Sequence, residues 1–131
     1  MDDKKILAEK FTRLQINLES LLKQREEIER RIDEIEETID AIKEIKLNSD
    51  AIFSVGTNTF GFCKIASEKF LVNVGANVGI EMDRESAIKI LEKTKESLNK
   101  VIIEIDTRVN KIVGEQEKIL AEIDKKPEGT E

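Results

Sequence analysis

The sequence predicts an α+β chain: a long antiparallel coiled-coil hairpin whose two helices are joined by two β-hairpins that must complete their sheets against other subunits. Three observations predict it. Charged residues make up 38% of the 131 positions and crowd the two ends: 23 fall in residues 1–47, 5 in 48–82 and 22 in 83–131. Both charged arms carry an apolar repeat with a mean spacing of 3.5 residues. The charge-poor middle holds four of the six glycines, and its apolar residues fall in short β-rich runs.

The first arm, 1–47, is read as a coiled-coil helix. Leu7, Phe11, Leu14, Leu18, Leu21, Arg25, Ile28, Ile32, Ile35, Ile39 and Ile42 follow steps of four and three without a break, and only Arg25 is not apolar. Such spacing keeps one seam turned toward a partner helix. Residues 48–82 switch period. Ala51–Val55 and Phe60–Ala66 are separated by Gly56-Thr57-Asn58-Thr59, and Phe70–Val74 and Val78–Met82 by Gly75-Ala76-Asn77. Apolar runs rich in β-branched and aromatic residues, bounded by Gly and Asn, read as two hairpins. The last arm, 83–125, repeats the seam with Ile88, Leu91, Lys95, Leu98, Ile102, Ile105, Val109, Ile112, Gln116, Ile119 and Ile123, interrupted at Lys95 and Gln116. Asp83 suits its N-cap and Glu85 its positive helix end. The tail, 126–131, holds the only Pro and reads as frayed and disordered. Arms of equal length, roughly 65 Å at ~1.5 Å per residue, are expected to fold back on each other.

The composition also excludes function classes. An average globular domain has about 25% charged residues, so a chain this charged, with five Phe and no Trp or Tyr, is ill suited to a compact core. Without His there is no triad base and no imidazole metal site. The lone Cys63 excludes an intrachain disulfide and CxxC chemistry, and inside a β-run it reads as a packed small apolar residue. Gly75 and Gly79 are not followed by a Lys-Ser/Thr pair or a helix, so turn geometry explains them better than a phosphate loop. The acidic residues mostly accompany Lys or Arg on helix faces, as in Glu27-Arg31, which is a solvated coiled-coil surface. No enzyme activity, cofactor or metal is expected. A net charge of −6 opposes nucleic acid and anionic membrane as partners. With no signal-peptide pattern and no membrane-length apolar run, a cytoplasmic location is expected.

Four short strands would leave open edges and an uncovered apolar face, so oligomerisation is implied. Phe53, Val55, Phe60, Phe62, Phe70, Val72, Val74, Val78 and Ile80 are the candidate oligomerisation residues. Arg25 either snorkels or pairs at the surface. If the arms align from the strand end it faces Glu104 or Asp106, a pair that would fix register.

This order of elements resembles the α-class subunit of prefoldin, across about residues 5–125. Val55-Gly56-Thr57-Asn58-Thr59-Phe60 is similar to that class's first hairpin turn, and Val72-Asn73-Val74-Gly75-Ala76-Asn77-Val78-Gly79-Ile80-Glu81 to its second. The acidic segment from Asp83 to Leu91 is similar as well, while Ser54 stands where the family often has Pro. The resemblance implies an ATP-independent holdase whose hairpins complete an inter-subunit β-barrel, commonly in a hexamer of two α-class and four β-class subunits. It implies that non-native proteins are held at the coiled-coil tips and passed to a group II chaperonin. Ile6, Leu7, Phe11, Ile119, Leu120 and Ile123 are then the candidate client-binding residues. Two rivals remain: a self-assembling filament subunit of the same fold, which some archaea carry as an α-like variant, and a coiled-coil adaptor for one folded partner.

Overall fold

The computed structural model describes residues 3–125; the tail expected at 126–131 lies outside them. The elements run α1 (Asp3–Glu44), β1 (Asp50–Gly56), β2 (Thr59–Lys64), β3 (Phe70–Asn73), β4 (Gly79–Met82) and α2 (Arg84–Lys125). They divide into two compact units, one made of Met1–Ile32 with Ser97–Glu131, the other of Asp33–Glu96.

In the first unit the outer portions of α1 and α2 pair antiparallel. Gln116 Nε2 donates to Gln15 Oε1 at 2.9 Å, and Arg25 Nε to Asp106 Oδ1 at 2.7 Å. Ten residues along one helix therefore match ten back along the other. Leu21, Ile105 and Ile119 are buried at 4–5% exposure, while Leu14, Leu18, Ile28, Ile102, Val109 and Ile112 are half-buried along the same seam. A two-helix seam covers only one side of each helix, which is why so few side chains are fully enclosed. The flanks are charged, as expected where only a narrow apolar stripe is buried.

The second unit carries the rest of both helices and the hairpins. Ile39, Ile42 and Ala87 form its core. Lys95, polar on the seam, reaches Glu36 at 3.8 Å and Glu92 at 3.4 Å, keeping its stem on the seam and its charge at the edge. α1 stops at Glu44, short of the 47 expected, because the following residues are recruited into a turn. Asn48 lies at φ 66°, its N–H donates to Ile65 O at 2.8 Å, and Ser49 N–H donates to Lys46 O at 3.2 Å. Leu47 N–H donates to Glu68 at 2.9 Å. Arg84 donates to Ile45 O and faces Glu68 at 3.6 Å, so the exit of α1, the loop before β3 and the entry of α2 share one polar cluster. Asp83 caps α2 as the sequence predicts: Ser86 N–H donates to its Oδ1 at 2.7 Å and Ala87 N–H to its carbonyl at 3.0 Å.

β1 and β2 pair antiparallel with Ile52 opposite Phe62, Phe53 opposite Gly61 and Ser54 opposite Phe60. The register shifts between Ser54 and Gly56, leaving Val55 as the extra residue of a bulge. A Cβ at Gly61 would stand 2.6 Å from the Phe53 ring, so the ring lies over the glycine. β3 and β4 form a separate two-stranded sheet, with Phe70 opposite Met82 and Val72 opposite Ile80. Their turn is tight: Gly75 N–H donates to Asn73 Oδ1 at 2.9 Å, and Gly75, Ala76 and Asn77 all have positive φ. Gly75, at φ 115°, needs the freedom that only glycine has. Cys63 is exposed, not packed, because the face it shares with Phe53 is left uncovered.

Candidate functional site

Two surfaces gather the candidate residues. The first is the pair of hairpins in the second unit. Alternation sends Ile52, Phe60 and Phe62 to one face of β1–β2 and Phe53 to the other. These are large apolar groups in the open: Phe62 is 89% exposed, and Phe53, Val55 and Phe60 lie between 51% and 64%. In the second hairpin Phe70 and Val72 are half-buried, while Val74, Val78 and Ile80 are about half exposed. Ile52 and Leu71 belong with these residues yet were not among the sequence candidates; both are well exposed. Ile52 was detectable, since an in-register hairpin must set it across from Phe62. Leu71 was harder to find, because it lies opposite Glu81 on what alternation marks as the polar face. Large apolar groups in such number are seldom left to water, and an isolated two-stranded hairpin is marginal alone.

The second surface is the chain-terminal stretch of the helix pair in the first unit. The register set by Gln15 and Gln116 brings Leu7 and Phe11 alongside Ile119 and Ile123. All four face the seam, Ile119 buried and the others half-buried. Ile6 and Leu120 instead point to solvent, at 44% and 49% exposure. The six candidates therefore divide into four seam residues and two outward ones. Ile16, Leu22, Val101, Ile103 and Val113 are further exposed apolar residues of this unit. Ile16 and Leu22 line a shallow groove with Glu19, Ser20, Lys23 and Glu26.

The electrostatics is that of a structural seam. Arg25 clamps Asp106 through two nitrogens, Nε to Oδ1 at 2.7 Å and Nη2 to Oδ2 at 3.3 Å, and also pairs with Glu29 one turn on. The hydrogen bond from Arg25 holds the Asp106 carboxyl below the ordinary carboxylate range, opposed by burial and assisted by the Arg25 charge. The Ser86 N–H likewise lowers Asp83. Such a pair adds little to stability at a partly exposed site, but it discriminates against shifted registers. Among the described residues, no group of His, Cys, Asp and Glu is placed to hold a metal ion, and no helix is long and apolar enough to cross a membrane.

Comparison with known proteins agrees with this geometry. The family model described as Prefoldin subunit matches residues 14–128. The chain is 31% identical over 126 residues to Prefoldin subunit alpha of Metallosphaera sedula, with 82% of this chain and 87% of that protein covered. Its fold matches a chain in the cryo-EM structure of filamentous PFD from Methanocaldococcus jannaschii with a TM-score of 0.77, covering 87% of this chain and 98% of that one at 19% identity. The prefoldin family comprises non-enzymatic chaperones whose subunits assemble with one another or with themselves. With its two long helices and two small antiparallel hairpins, the chain belongs to the prefoldin family as an α-like subunit.

Proposed function

We propose that the chain is a subunit of an ATP-independent holdase. Residues 48–82 assemble it into an inter-subunit β-barrel with β-class subunits or further copies of itself, while the arms 1–47 and 83–125 carry the client-binding tips. Ile6, Leu7, Phe11, Ile119, Leu120 and Ile123 take the non-native protein, which passes to a group II chaperonin in the cytoplasm. The observation that carries this reading is where apolar surface is exposed. The largest exposed rings sit on hairpins with unpaired edges, suited to subunit contacts, whereas the helix ends hold a smaller apolar set among charges. Weak contacts at each tip suffice when several arms of one assembly share a client, because each raises the effective concentration of the others.

Phe62→Asp tests the reading. At 89% exposure the ring contributes little to the fold of one chain, but a carboxylate there would be buried unpaired in a subunit contact. Native mass spectrometry, with and without a β-class subunit, is expected to show an assembly for the parent chain and only small species for the variant, both with full helical circular dichroism. The parent is expected to suppress aggregation of a heat-denatured client without ATP, and the variant to lose most of that activity. A fully assembled variant would remove the hairpins as the assembly surface, and a parent without suppression would remove the holdase reading. A ladder of sizes from the chain alone would identify a filament former. Selective capture of one folded protein without suppression would identify an adaptor.

A further inference from the structure

The two hairpins belong to separate sheets, so no strand pairing fixes one relative to the other. Residues 65–69 connect them, between the end of β2 at Lys64 and the start of β3 at Phe70. The near end of this connection is tied by backbone: Ile65 N–H donates to Ser49 O at 2.9 Å, and Asn48 N–H to Ile65 O at 2.8 Å. Its far end is tied by one side chain. Glu68 Oε2 accepts the Leu47 N–H at 2.9 Å and stands 3.6 Å from Arg84 Nη2, so one carboxylate meets the exit of α1 and the entry of α2. Arg84 sits where local physics disfavours it. It is the first residue of α2, at the positive end of the helix dipole. Its Nε is buried with no hydrogen-bond partner among the described residues, a further cost. Its outer nitrogen accounts for the placement: Arg84 Nη2 donates to Ile45 O just past the end of α1, where a cation is favoured, and faces Glu68. With side chains 46% and 33% exposed, Glu68 and Arg84 add little to the stability of the chain as an ion pair. Their effect is geometric.

We infer that Glu68 and Arg84 form a clip that holds the inter-hairpin connection against both helix ends, presenting the two hairpins to neighbouring subunits in one fixed arrangement. The clip rests on the assembly reading above and deepens it, because it acts before the subunits meet. A subunit with a loose connection reaches the same contacts, but it must order the connection as it binds. The loss is then one of affinity, with every apolar contact of the hairpins still available.

Hydrogen exchange on the full chain carrying Phe62→Asp, followed by mass spectrometry, tests the clip apart from assembly. Adding Glu68→Ala is expected to speed exchange of residues 46–49 and 65–69 about tenfold, as for the loss of a hydrogen bond to a charged group. Helical circular dichroism should not change. Glu68→Gln keeps an acceptor for the Leu47 N–H and should recover much of the protection. With Phe62 restored, native mass spectrometry over a dilution series is expected to show the assembly midpoint raised about tenfold by Glu68→Ala and less by Glu68→Gln. Arg84→Ala should act in the same direction and add little to Glu68→Ala, since both work through one cluster. Unchanged exchange in Glu68→Ala, or full additivity of the two variants, would overturn the clip. Faster exchange with an unchanged midpoint would overturn its role in assembly. A raised midpoint with unchanged exchange would make Glu68 a subunit contact instead. A parent chain that stays single at every concentration would defeat the assembly reading itself, with the clip still decided by exchange.

Discussion

Replacing Leu21 and Leu22 one at a time separates a seam residue from its neighbour on the flank. Leu21 is 4% exposed and Leu22 is 46% exposed, although the two are chemically identical and adjacent. Truncating a buried Leu to Ala costs about 2–5 kcal/mol, depending on how far the site can collapse. A two-helix seam bordered by water can close partly, which puts Leu21→Ala near the lower end, about 2–3 kcal/mol. At roughly 4 °C per kcal/mol for a chain of this size, the melting temperature should fall by about 8–12 °C. Leu22→Ala forfeits only partial burial and gains helix propensity, so its change should stay within about 0.5 kcal/mol. Thermal melts followed by circular dichroism at one fixed chain concentration read both, since assembly makes the midpoint concentration-dependent. Equal losses from the two variants, or a larger loss at Leu22, would refute the seam register.

The carboxyls of Asp83 and Asp106 are held below their ordinary value of 3.8 in the folded chain. The stability they confer is therefore complete above that value and is lost as pH falls through the depressed folded values. Melts between pH 6 and pH 2 should show Asp106→Asn with a shallower loss than the parent, and identical slopes would contradict the pairing with Arg25. Gly75→Ala should destabilise the second hairpin by about 1–2 kcal/mol, because φ there is positive. Gly56→Ala, also in open space but without that φ, should be near neutral, and exchange of the β3 and β4 amides compares the two. Cys63, exposed in the single chain, should react readily with a maleimide in the dissociated Phe62→Asp variant, and mass spectrometry would reveal a protected thiol if that is wrong.

The helix pair was largely legible in the sequence because a seam of two helices has one period and one partner. Every position of both 3.5-residue repeats is buried or half-buried. Aligning the arms from the strand end placed Arg25 near Glu104 or Asp106, and it contacts the second. Gln15, by contrast, gave no sign of being Gln116's partner, since it lies one residue off the repeat beside Leu14 and only the register reveals the pair. The hairpins were legible as runs and turns but less so in detail. The bulge at Val55 and the left-handed Ala76 come from local backbone geometry that composition does not encode. Cys63 was misread for a related reason: a β-run in a sequence looks packed whether its cover comes from the same chain or from elsewhere. For the terminal helix segments the repeat located the apolar residues correctly. It also set Leu7, Phe11, Ile119 and Ile123 on the seam and left Ile6 and Leu120 beside it, as their burial and exposure have it.

The most direct measurement of client capture at the helix ends is aggregation suppression by an assembly lacking Met1–Phe11 and Ile119–Glu131. More than four heptads of each arm remain and the hairpins are untouched, so the helix pair and the assembly should both persist. Light scattering of a heat-denatured client, alongside native mass spectrometry, is expected to show suppression abolished and the oligomer smaller only by the deleted mass. Full suppression by the truncated assembly would contradict the account, placing the client on the flanks of the remaining coil or on the hairpin body.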